Sequence, residues 1–241
     1  MAETTTVYTL PAGVAAGSGL TSDAAGNVWF STGDANALST PRVGRFVPSQ
    51  GVADTDAGIT LWSTPTYAGA SCCATQVRSL DFDDEAGRLW FARSDGQYGY
   101  GDAAQMAAGN PSPFQTAVHP NKIALWGVAY DPKSKRTWIA EYGATNVAEG
   151  NGNRPGNRIA STDSGLGLAE LPNLAQQGGL GTFTGSRYDA KPRAVAPDGA
   201  GEAWFVQSDP GNPGYRIGRT NGPGYLEYLI EPCLGVSPCS G

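Results

Sequence analysis

One short phrase occurs four times along the 241-residue chain and restricts the folds that the chain can adopt. Each copy has a polar turn with Asp, Gly, Lys or Ser, followed by an apolar run that contains one tryptophan. Gly and Asp supply the backbone angles of a tight hairpin, and a strand-like segment precedes each turn. The copies are DAAGNVWFST (23–32), DEAGRLWFAR (84–93), PKSKRTWIAE (132–141) and PDGAGEAWFVQ (197–207). The chain is therefore predicted to repeat one strand-turn-strand unit four times.

Further strands are predicted after each tryptophan strand. The predicted third strands are RVGRFV (42–47), NKIALW (121–126), NRIAST (157–162) and YRIGRT (215–220). Three units add a fourth strand, and the second unit is expected to lack one; the fourth strands are ITLWSTP (59–65), LAELP (168–172) and LEYLIEP (226–232). Four antiparallel strands in a repeated unit are the blade of a β-propeller. One blade cannot bury both of its faces alone, which explains why the phrase recurs.

We therefore predict an all-β protein with a single β-propeller domain over residues 1–232 and a cysteine-bearing tail at 233–241. A two-sheet sandwich also uses short strands and turns, but it gives no reason for four copies of one hairpin. The four recognisable four-stranded blades are expected at roughly 17–66, 76–126, 127–172 and 191–232.

The start of the chain predicts an unusual closure of the ring. TVYTLP (6–11) has the pattern of an outer closing strand, yet the last blade already owns a fourth strand. An unpaired outer strand exposes backbone groups that invite pairing with another chain. We expect 6–11 to pair with the edge of the last blade or of a neighbouring subunit. Four blades are the lower limit of propeller size, so an open ring, or one completed by a partner or a second copy, is predicted.

Charge and hydropathy exclude some partners. The chain has 16 basic and 22 acidic residues, a formal net charge of -6, whereas nucleic acid binding needs clustered Lys and Arg. No apolar run approaches the ~18 residues of a membrane span, and the first residues show no signal peptide. We therefore predict neither a nucleic acid partner nor a membrane span.

The four cysteines favour an oxidising compartment. Cys72 and Cys73 are adjacent, while Cys233 and Cys239 bracket a short tail, and an even count is typical of disulfide-bonded proteins. Inert buried thiols, or ligation of a metal or cofactor, are the alternatives. Disulfides would place the protein outside the cytoplasm, in an extracellular or periplasmic location.

Several motifs resemble those of the streptogramin B lyase (virginiamycin B lyase)-like β-propellers. The motifs are GNVWFST with RVGRFVP, TWIAEYGATN with NRIAST and LAELP, and AWFVQ with YRIGRT and LEYLIEP. They are similar to the family's G-N-x-W-F-T-E, N-x-I-G-R and L-P pattern through most of 17–232. The resemblance implies a metal-assisted elimination that opens a cyclic depsipeptide, with a histidine base and acidic residues around Mg²⁺ on the channel face.

The lyase residues that the resemblance implies are only partly present. The W-F-T-E glutamate is kept as Glu141, but the histidine expected two positions later is replaced by Gly143. The only histidine, His119, lies in the loop motif AVHPNKIA. A general base must reach the proton that it removes, so the set is incomplete and a structural role for Glu141, paired with Arg93 or a neighbouring strand, is favoured. The residues at the position of the W-F-T-E glutamate in the four units are the channel-face candidates: Thr32, Arg93, Glu141 and Gln207.

Acidic residues before the second tryptophan strand form a weak cation motif. Asp81, Asp83 and Glu85 alternate in DFDDEAG, but the Gly and Glu of an EF-hand loop are replaced by Ala86 and Ala92. An acidic hairpin turn is the favoured interpretation. No cofactor is predicted, and Mg²⁺ or Ca²⁺ is the cation to test.

Insertions after the second strands are expected to emerge on one face of the propeller. They cover 33–41, 94–120, 142–156 and 208–214. Aromatic residues on or beside them are candidates for a binding surface, with core packing as the alternative: Tyr98, Tyr100, Phe114, Trp126 and Tyr142.

The sequence therefore predicts a non-catalytic binding or assembly module that recognises a protein or ligand through the insertion face. The alternative is a lyase-like, metal-assisted enzyme that uses Glu141 and His119.

Overall fold

A computed structural model describes residues 5–33, 41–66, 75–142, 158–171, 191–207 and 216–229. These residues form four antiparallel sheets of four strands each, which confirms the predicted all-β fold with four four-stranded blades. In each sheet the strands lie side by side in chain order, so each blade is a simple meander.

The sheets are named blades 1 to 4 in chain order. Blade 1 consists of β1 (Ala15–Ser22), β2 (Val28–Gly33), β3 (Arg42–Phe46) and β4 (Ile59–Ser63), with a 3-10 helix at Pro48–Gln50. Blade 2 consists of β5 (Val77–Asp83), β6 (Arg88–Arg93), β7 (Gln97–Asp102) and β8 (Phe114–Val118), with α1 at Ala103–Ala107. Blade 3 consists of β9 (Leu125–Asp131), β10 (Arg136–Glu141), β11 (Arg158–Thr162) and β12 (Ala169–Glu170). Blade 4 consists of β13 (Pro192–Pro197), β14 (Ala203–Gln207), β15 (Arg216–Asn221) and β16 (Gly224–Leu229).

Blade 2 differs from the prediction because its third and fourth strands lie earlier in the chain. The segment 121–126 was predicted as its third strand, but β7 and β8 fill both positions and the blade is complete. A turn in which the Lys122 amide donates to the His119 carbonyl, with Lys122 at a φ of 51°, precedes β9. Much of the predicted insertion 94–120 is therefore strand and helix, and the connection from β6 to β7 is a tight turn.

Alternation along the second strand explains how the blades stack. Trp29, Trp90 and Trp138 face the next blade. The residues that follow the last three tryptophans of the repeat face the previous blade, and these are Phe91, Ile139 and Phe205. Three apolar clusters result, one between each pair of consecutive blades, and the first strands β1, β5, β9 and β13 pack in succession along the inner side. The carboxylate of Asp81 bridges three blades, because it accepts from the Thr21 hydroxyl at 3.3 Å and from the Tyr130 amide at 2.7 Å.

Glycine in the third strand has a packing role. A Cβ atom at Gly44 would overlap the ring of Phe30, and one at Gly218 would overlap the ring of Phe205. In both blades the aromatic ring of the second strand lies over the glycine that pairs with it. The repeated Val-Gly-Arg and Ile-Gly-Arg motifs are therefore explained by ring placement.

Residues 6–11 do not form a strand in any of the four described sheets. Backbone hydrogen bonds join this segment to the loop between β3 and β4, from the Thr9 amide to the Thr55 carbonyl and from the Asp54 amide to the Val7 carbonyl, each at 3.0 Å. The ring of Tyr8 lies 4.4 Å from that of Phe46. The segment predicted to close the ring thus lies on blade 1.

Each blade contacts the next one along the chain, from blade 1 through blade 4. The first strand of blade 4, β13, does not pack against the first strand of blade 1, β1, as consecutive first strands do. The described residues therefore form an arc of four blades with two end faces. Within the described part of the chain, no helix has the length and apolar character needed to cross a membrane.

Candidate functional site: a cationic and aromatic cluster on the insertion face

A register shift at the start of three first strands positions a set of side chains. In β5, β9 and β13 one residue is left without a pairing partner, and these residues are Arg78, Trp126 and Arg193. Such β-bulges bend a strand and redirect a side chain, and they are common beside binding sites. First strands begin where second strands end, so the three bulges lie on the face from which the insertions emerge, here called the insertion face.

The three bulge residues converge. The guanidinium carbons of Arg78 and Arg193 each lie 4.7 Å from the centre of the Trp126 ring. The ring of Tyr142, at the end of β10, stacks on Trp126 with centroids 4.5 Å apart and planes 19° apart. The Lys191 ammonium nitrogen lies 5.8 Å from the Tyr142 ring. Because the aromatic ring faces are electron-rich, this geometry stabilises positive charge at one place.

The two arginines of this cluster lack an acidic partner among the described residues. Arg78 and Arg193 form no ion pair with any residue that the structure describes, and Arg78 Nε is buried without a hydrogen-bond partner there. Arg193 is exposed and Arg78 is half-buried. A carboxylate or phosphate would accept hydrogen bonds from such guanidinium groups in a bidentate manner.

A second polar cluster lies between blades 2 and 3. His119, in the loop after β8, directs Nε2 at Glu141 Oε1, 3.2 Å away, and at Glu170 Oε1, 2.8 Å away. The other carboxylate oxygen of Glu170 pairs with Arg158 at 3.0 Å. His119 and Glu141 have fully buried side chains, and Glu141 Oε2 has no hydrogen-bond partner among the described residues. The cluster joins blade 2 to the ends of three strands of blade 3.

Opposing effects decide the protonation of His119. Burial lowers its pKa, while the hydrogen bonds and charges of Glu141 and Glu170 raise it. The Asn121 amide opposes this rise in pKa, because it donates a hydrogen bond to Nδ1 at 3.1 Å. Protonation of Nδ1 would place two N–H groups against each other. A ring nitrogen cannot both bear a proton and accept a hydrogen bond, so this amide keeps Nδ1 unprotonated. The geometry therefore assigns a neutral ring with its proton on Nε2.

The two carboxyl groups are perturbed in opposite directions. Burial raises the pKa of Glu141, with His119 acting against it. The hydrogen bond from His119 lowers the pKa of Glu170, which is also next to Arg158. Glu141 is thus the carboxyl group of the pair that more readily holds a proton.

Three ligand atoms from His119, Glu141 and Glu170 lie within 4.8 Å of one another, a spacing that a metal ion could bridge. Metal binding to Nε2 requires a lone pair there and moves the ring proton to Nδ1, where the Asn121 amide points. The orientation of this loop therefore does not fit a metal ion at Nε2, whereas it fits a hydrogen-bonded link between blades.

The predicted channel-face residues are buried within the blades. Arg93 lies between blades 1 and 2, where it pairs with Asp95 at 2.5 Å and donates to the Thr64 hydroxyl at 3.1 Å. The predicted partner of Arg93, Glu141, instead contacts His119. Thr32 and Gln207 are buried at the ends of β2 and β14.

Three of the predicted aromatic binding residues are buried. Tyr98, Tyr100 and Phe114 are buried strand residues, and the hydroxyl groups of the two tyrosines donate to carbonyls of blade 3, those of Leu166 and Ser164. The error follows from reading β7 and β8 as a loop. By contrast, Tyr142 and Trp126 belong to the cluster on the insertion face.

The weak cation motif is divided among separate contacts. Asp81 bridges blades, Asp83 accepts from the amides of Glu85 and Ala86 in the hairpin turn, and Glu85 pairs with Lys135 of blade 3. Among the residues that the structure describes, these three carboxylates do not form a group that could hold a metal ion. The four cysteines, at 72, 73, 233 and 239, lie outside the described residues.

Similarity to solved structures defines the class of protein. The chain is similar to a propeller chain in the crystal structure of a nidogen/laminin complex, with a TM-score of 0.54 and 12% identity over 88% of this chain and 64% of that chain. It is also similar to a protein of unknown function from Bacteroides thetaiotaomicron, with a TM-score of 0.52 and 11% identity over 90% of this chain and 43% of that chain. The β-propeller domain of Cps50 (Swd1) from Myceliophteria thermophila matches with a TM-score of 0.48 and 9% identity, over 90% of this chain and 55% of that chain.

The chain is a β-propeller protein. It spans less than two thirds of the length of these solved chains. No protein-family model matches the sequence, and no curated protein matches it. The resemblance to streptogramin B lyase-like proteins is supported for the propeller fold and is not confirmed for that family.

Proposed function

We propose that the chain is a non-catalytic β-propeller module that binds an acidic segment of a protein partner through its insertion face. The observation that carries the proposal is the convergence of Arg78 and Arg193 on Trp126, without an acidic partner among the described residues. The chain as a whole carries a net charge of -6, so this cluster is a local exception rather than part of a basic surface.

Physical chemistry supports a short acidic ligand over a polyanion. Two guanidinium groups near one ring repel each other, and a bound carboxylate would relieve that repulsion. The surrounding negative charge would repel a nucleic acid, whose binding needs many phosphate contacts. Propellers often serve as protein-interaction modules, and the similar nidogen chain was crystallised in a complex with laminin.

Titration calorimetry with a hexaglutamate peptide tests the proposal. We expect salt-sensitive binding to the unaltered chain and at least tenfold weaker binding to the Arg78→Ala/Arg193→Ala variant, because two charge-assisted contacts are lost. Arg136→Ala is the matched control, since it removes an exposed arginine from the opposite end of blade 3. Equal binding by the double variant, or no binding by the unaltered chain, would contradict the proposal.

A lyase-like enzyme is the second candidate, favoured by the closeness of His119, Glu141 and Glu170 and by the unpartnered Glu141 Oε2. The Asn121 amide at Nδ1 argues against a metal ligand and supports the non-catalytic proposal. Metal analysis and a screen for cyclic depsipeptide opening distinguish the candidates. Turnover that Glu141→Gln abolishes would establish the enzyme.

An extracellular or periplasmic location remains part of the proposal. It depends on disulfides among Cys72, Cys73, Cys233 and Cys239, which mass mapping of the non-reduced protein would detect. Four free thiols would remove this argument.

A further inference from the structure

The two end faces of the blade arc differ from the covered faces in their exposed apolar surface. Trp29, Trp90 and Trp138 are 0%, 2% and 4% exposed, because the next blade covers each of them. Trp204 occupies the same position in blade 4 and is 39% exposed. Burial along β14 alternates strictly, so one face of blade 4 is covered and the other is open.

The open face of blade 4 repeats the blade 1 surface that blade 2 covers. By strand register, Trp204 and Tyr228 of blade 4 correspond to Trp29 and Trp62 of blade 1. The ring centroids are 6.1 Å apart in blade 4 and 5.8 Å apart in blade 1. In blade 1, the ring of Phe82 from the next blade stacks on Trp29 at 5.5 Å.

A hollow on the blade 4 face has the position that a neighbouring blade would fill. Its volume is about 420 Å³, and it is lined by apolar residues that include Ala194, Trp204, Val206 and Ile217. Ile217 is 37% exposed, whereas Val43, at the corresponding position of blade 1, is fully buried. This surface therefore lacks a partner within the described chain.

The opposite end of the arc carries the complementary type of face. Leu80 and Val128 face the previous blade and are each 5% exposed, while Leu20, at the corresponding position of blade 1, is 70% exposed. Leu80 lies against Gly19 of β1, and the position of Gly19 corresponds to that of Ala194, which lines the hollow. Leu20 from blade 1 of a second copy would therefore enter the hollow and contact Ala194, in the same way that Leu80 contacts Gly19 within the chain.

We propose that a second copy of this chain covers both end faces, with blade 1 of each copy docked head-to-tail on blade 4 of the other. Each of the three interfaces between consecutive blades already packs the tryptophan face of one blade against the opposite face of the next. The same packing would recur between the two copies. Two arcs of four blades make a ring of eight, the upper end of the usual range for propellers. A head-to-tail contact that closes after two copies leaves no apolar end face exposed.

The N-terminal segment packs near the outer strands of blade 1 and leaves the inner-strand Leu20 exposed. Tyr8 covers Phe46 towards the outer side of blade 1, whereas Leu20 lies on the inner strand and stays exposed. Docking would bury the exposed apolar side chains of both ends, which supplies the driving force. The proposal does not depend on an acidic ligand at the insertion face.

Sedimentation equilibrium and light scattering on the purified chain test the proposal. We expect twice the 24.9 kDa mass of the chain. Leu20→Asp and Tyr228→Asp alter opposite faces at side chains that are 70% and 52% exposed, so the fold is expected to persist. Each variant alone should weaken dimerisation at least tenfold, because a carboxylate would be buried at both contacts. Val52→Asp, at a side chain that is 57% exposed in the loop after β3, is the control.

Mixing the two variants distinguishes the head-to-tail ring from other dimers. A mixed dimer can place both altered faces at one contact and keep the other contact intact, so an equimolar mixture should dimerise more strongly than either variant alone. Circular dichroism should show unchanged β structure in both variants. A monomeric unaltered chain, a dimer that Leu20→Asp leaves intact, or no recovery on mixing would overturn the proposal.

Discussion

Replacement of His119 by alanine tests whether the buried cluster holds blades 2 and 3 together. The change leaves the carboxyl group of Glu141 fully buried without its only described hydrogen-bond partner. Leaving a buried carboxylate without its hydrogen-bond donor costs about 3 kcal/mol or more. Protonation of Glu141 limits this loss, because neutralising a carboxyl group with an ordinary pKa costs about 1.4 kcal/mol per pH unit, or about 4 kcal/mol at pH 7.

The loss should therefore depend on pH in a defined direction. Burial raises the pKa of Glu141 and His119 opposes that rise, so in the His119→Ala variant the folded state favours the protonated form more strongly. Stability from that form is present at low pH and is lost as the pH rises through the raised pKa. Urea unfolding should give a loss of about 3–4 kcal/mol at pH 7 for His119→Ala and about 1 kcal/mol at pH 5.

Two further variants make the test specific. His119→Ala/Glu141→Gln removes the buried charge, so it should be more stable at pH 7 than His119→Ala and should lose the pH dependence. Asn121→Ala keeps the backbone amide and should change stability by less than about 0.5 kcal/mol. A loss below about 1 kcal/mol at pH 7, or equal losses at pH 5 and pH 7, would refute a buried charge that His119 stabilises.

Two other predictions concern proton affinity and strand packing. Glu170→Gln should lower the pKa of His119, since it removes one of the two carboxylates that raise it; NMR of the single histidine gives this pKa, and an unchanged titration would contradict the assignment. Gly218→Ala should cost about 1–3 kcal/mol in urea unfolding, because its methyl group overlaps the Phe205 ring. Gly167→Ala, where no atom lies within 4 Å of the added Cβ, is the control, and equal effects of the two changes would exclude the ring contact.

The blade count was predictable because its signals are local. A hairpin turn followed by an apolar run with tryptophan marks both the strand pair and the face that meets the next blade. The third strand of blade 2 was harder to predict, because the segment 121–126 has the sequence pattern of a third strand. Its Ile123 is instead buried just before β9. The true third strand, β7, contains Gly99 and Gly101, and glycine lowers strand propensity.

The sites were less predictable because they depend on register and on packing between blades. Arg78 and Arg193 lie 115 positions apart in the numbering, and only the register shifts of their strands bring both to Trp126. Glu170 lies in a strand of two residues, so its sequence has little periodicity to interpret. One arginine or tryptophan at the start of three of the four first strands was the available indication.

The bulges at the start of β5, β9 and β13 also separate specificity from folding. Each bulge arises from backbone pairing, and its residue has no pairing partner in the ladder that stabilises the blade. Substitutions at these three positions can therefore alter the charge and shape of the insertion face while the interior contacts between blades are retained. A library confined to these codons would sample new ligand preferences on an unchanged scaffold.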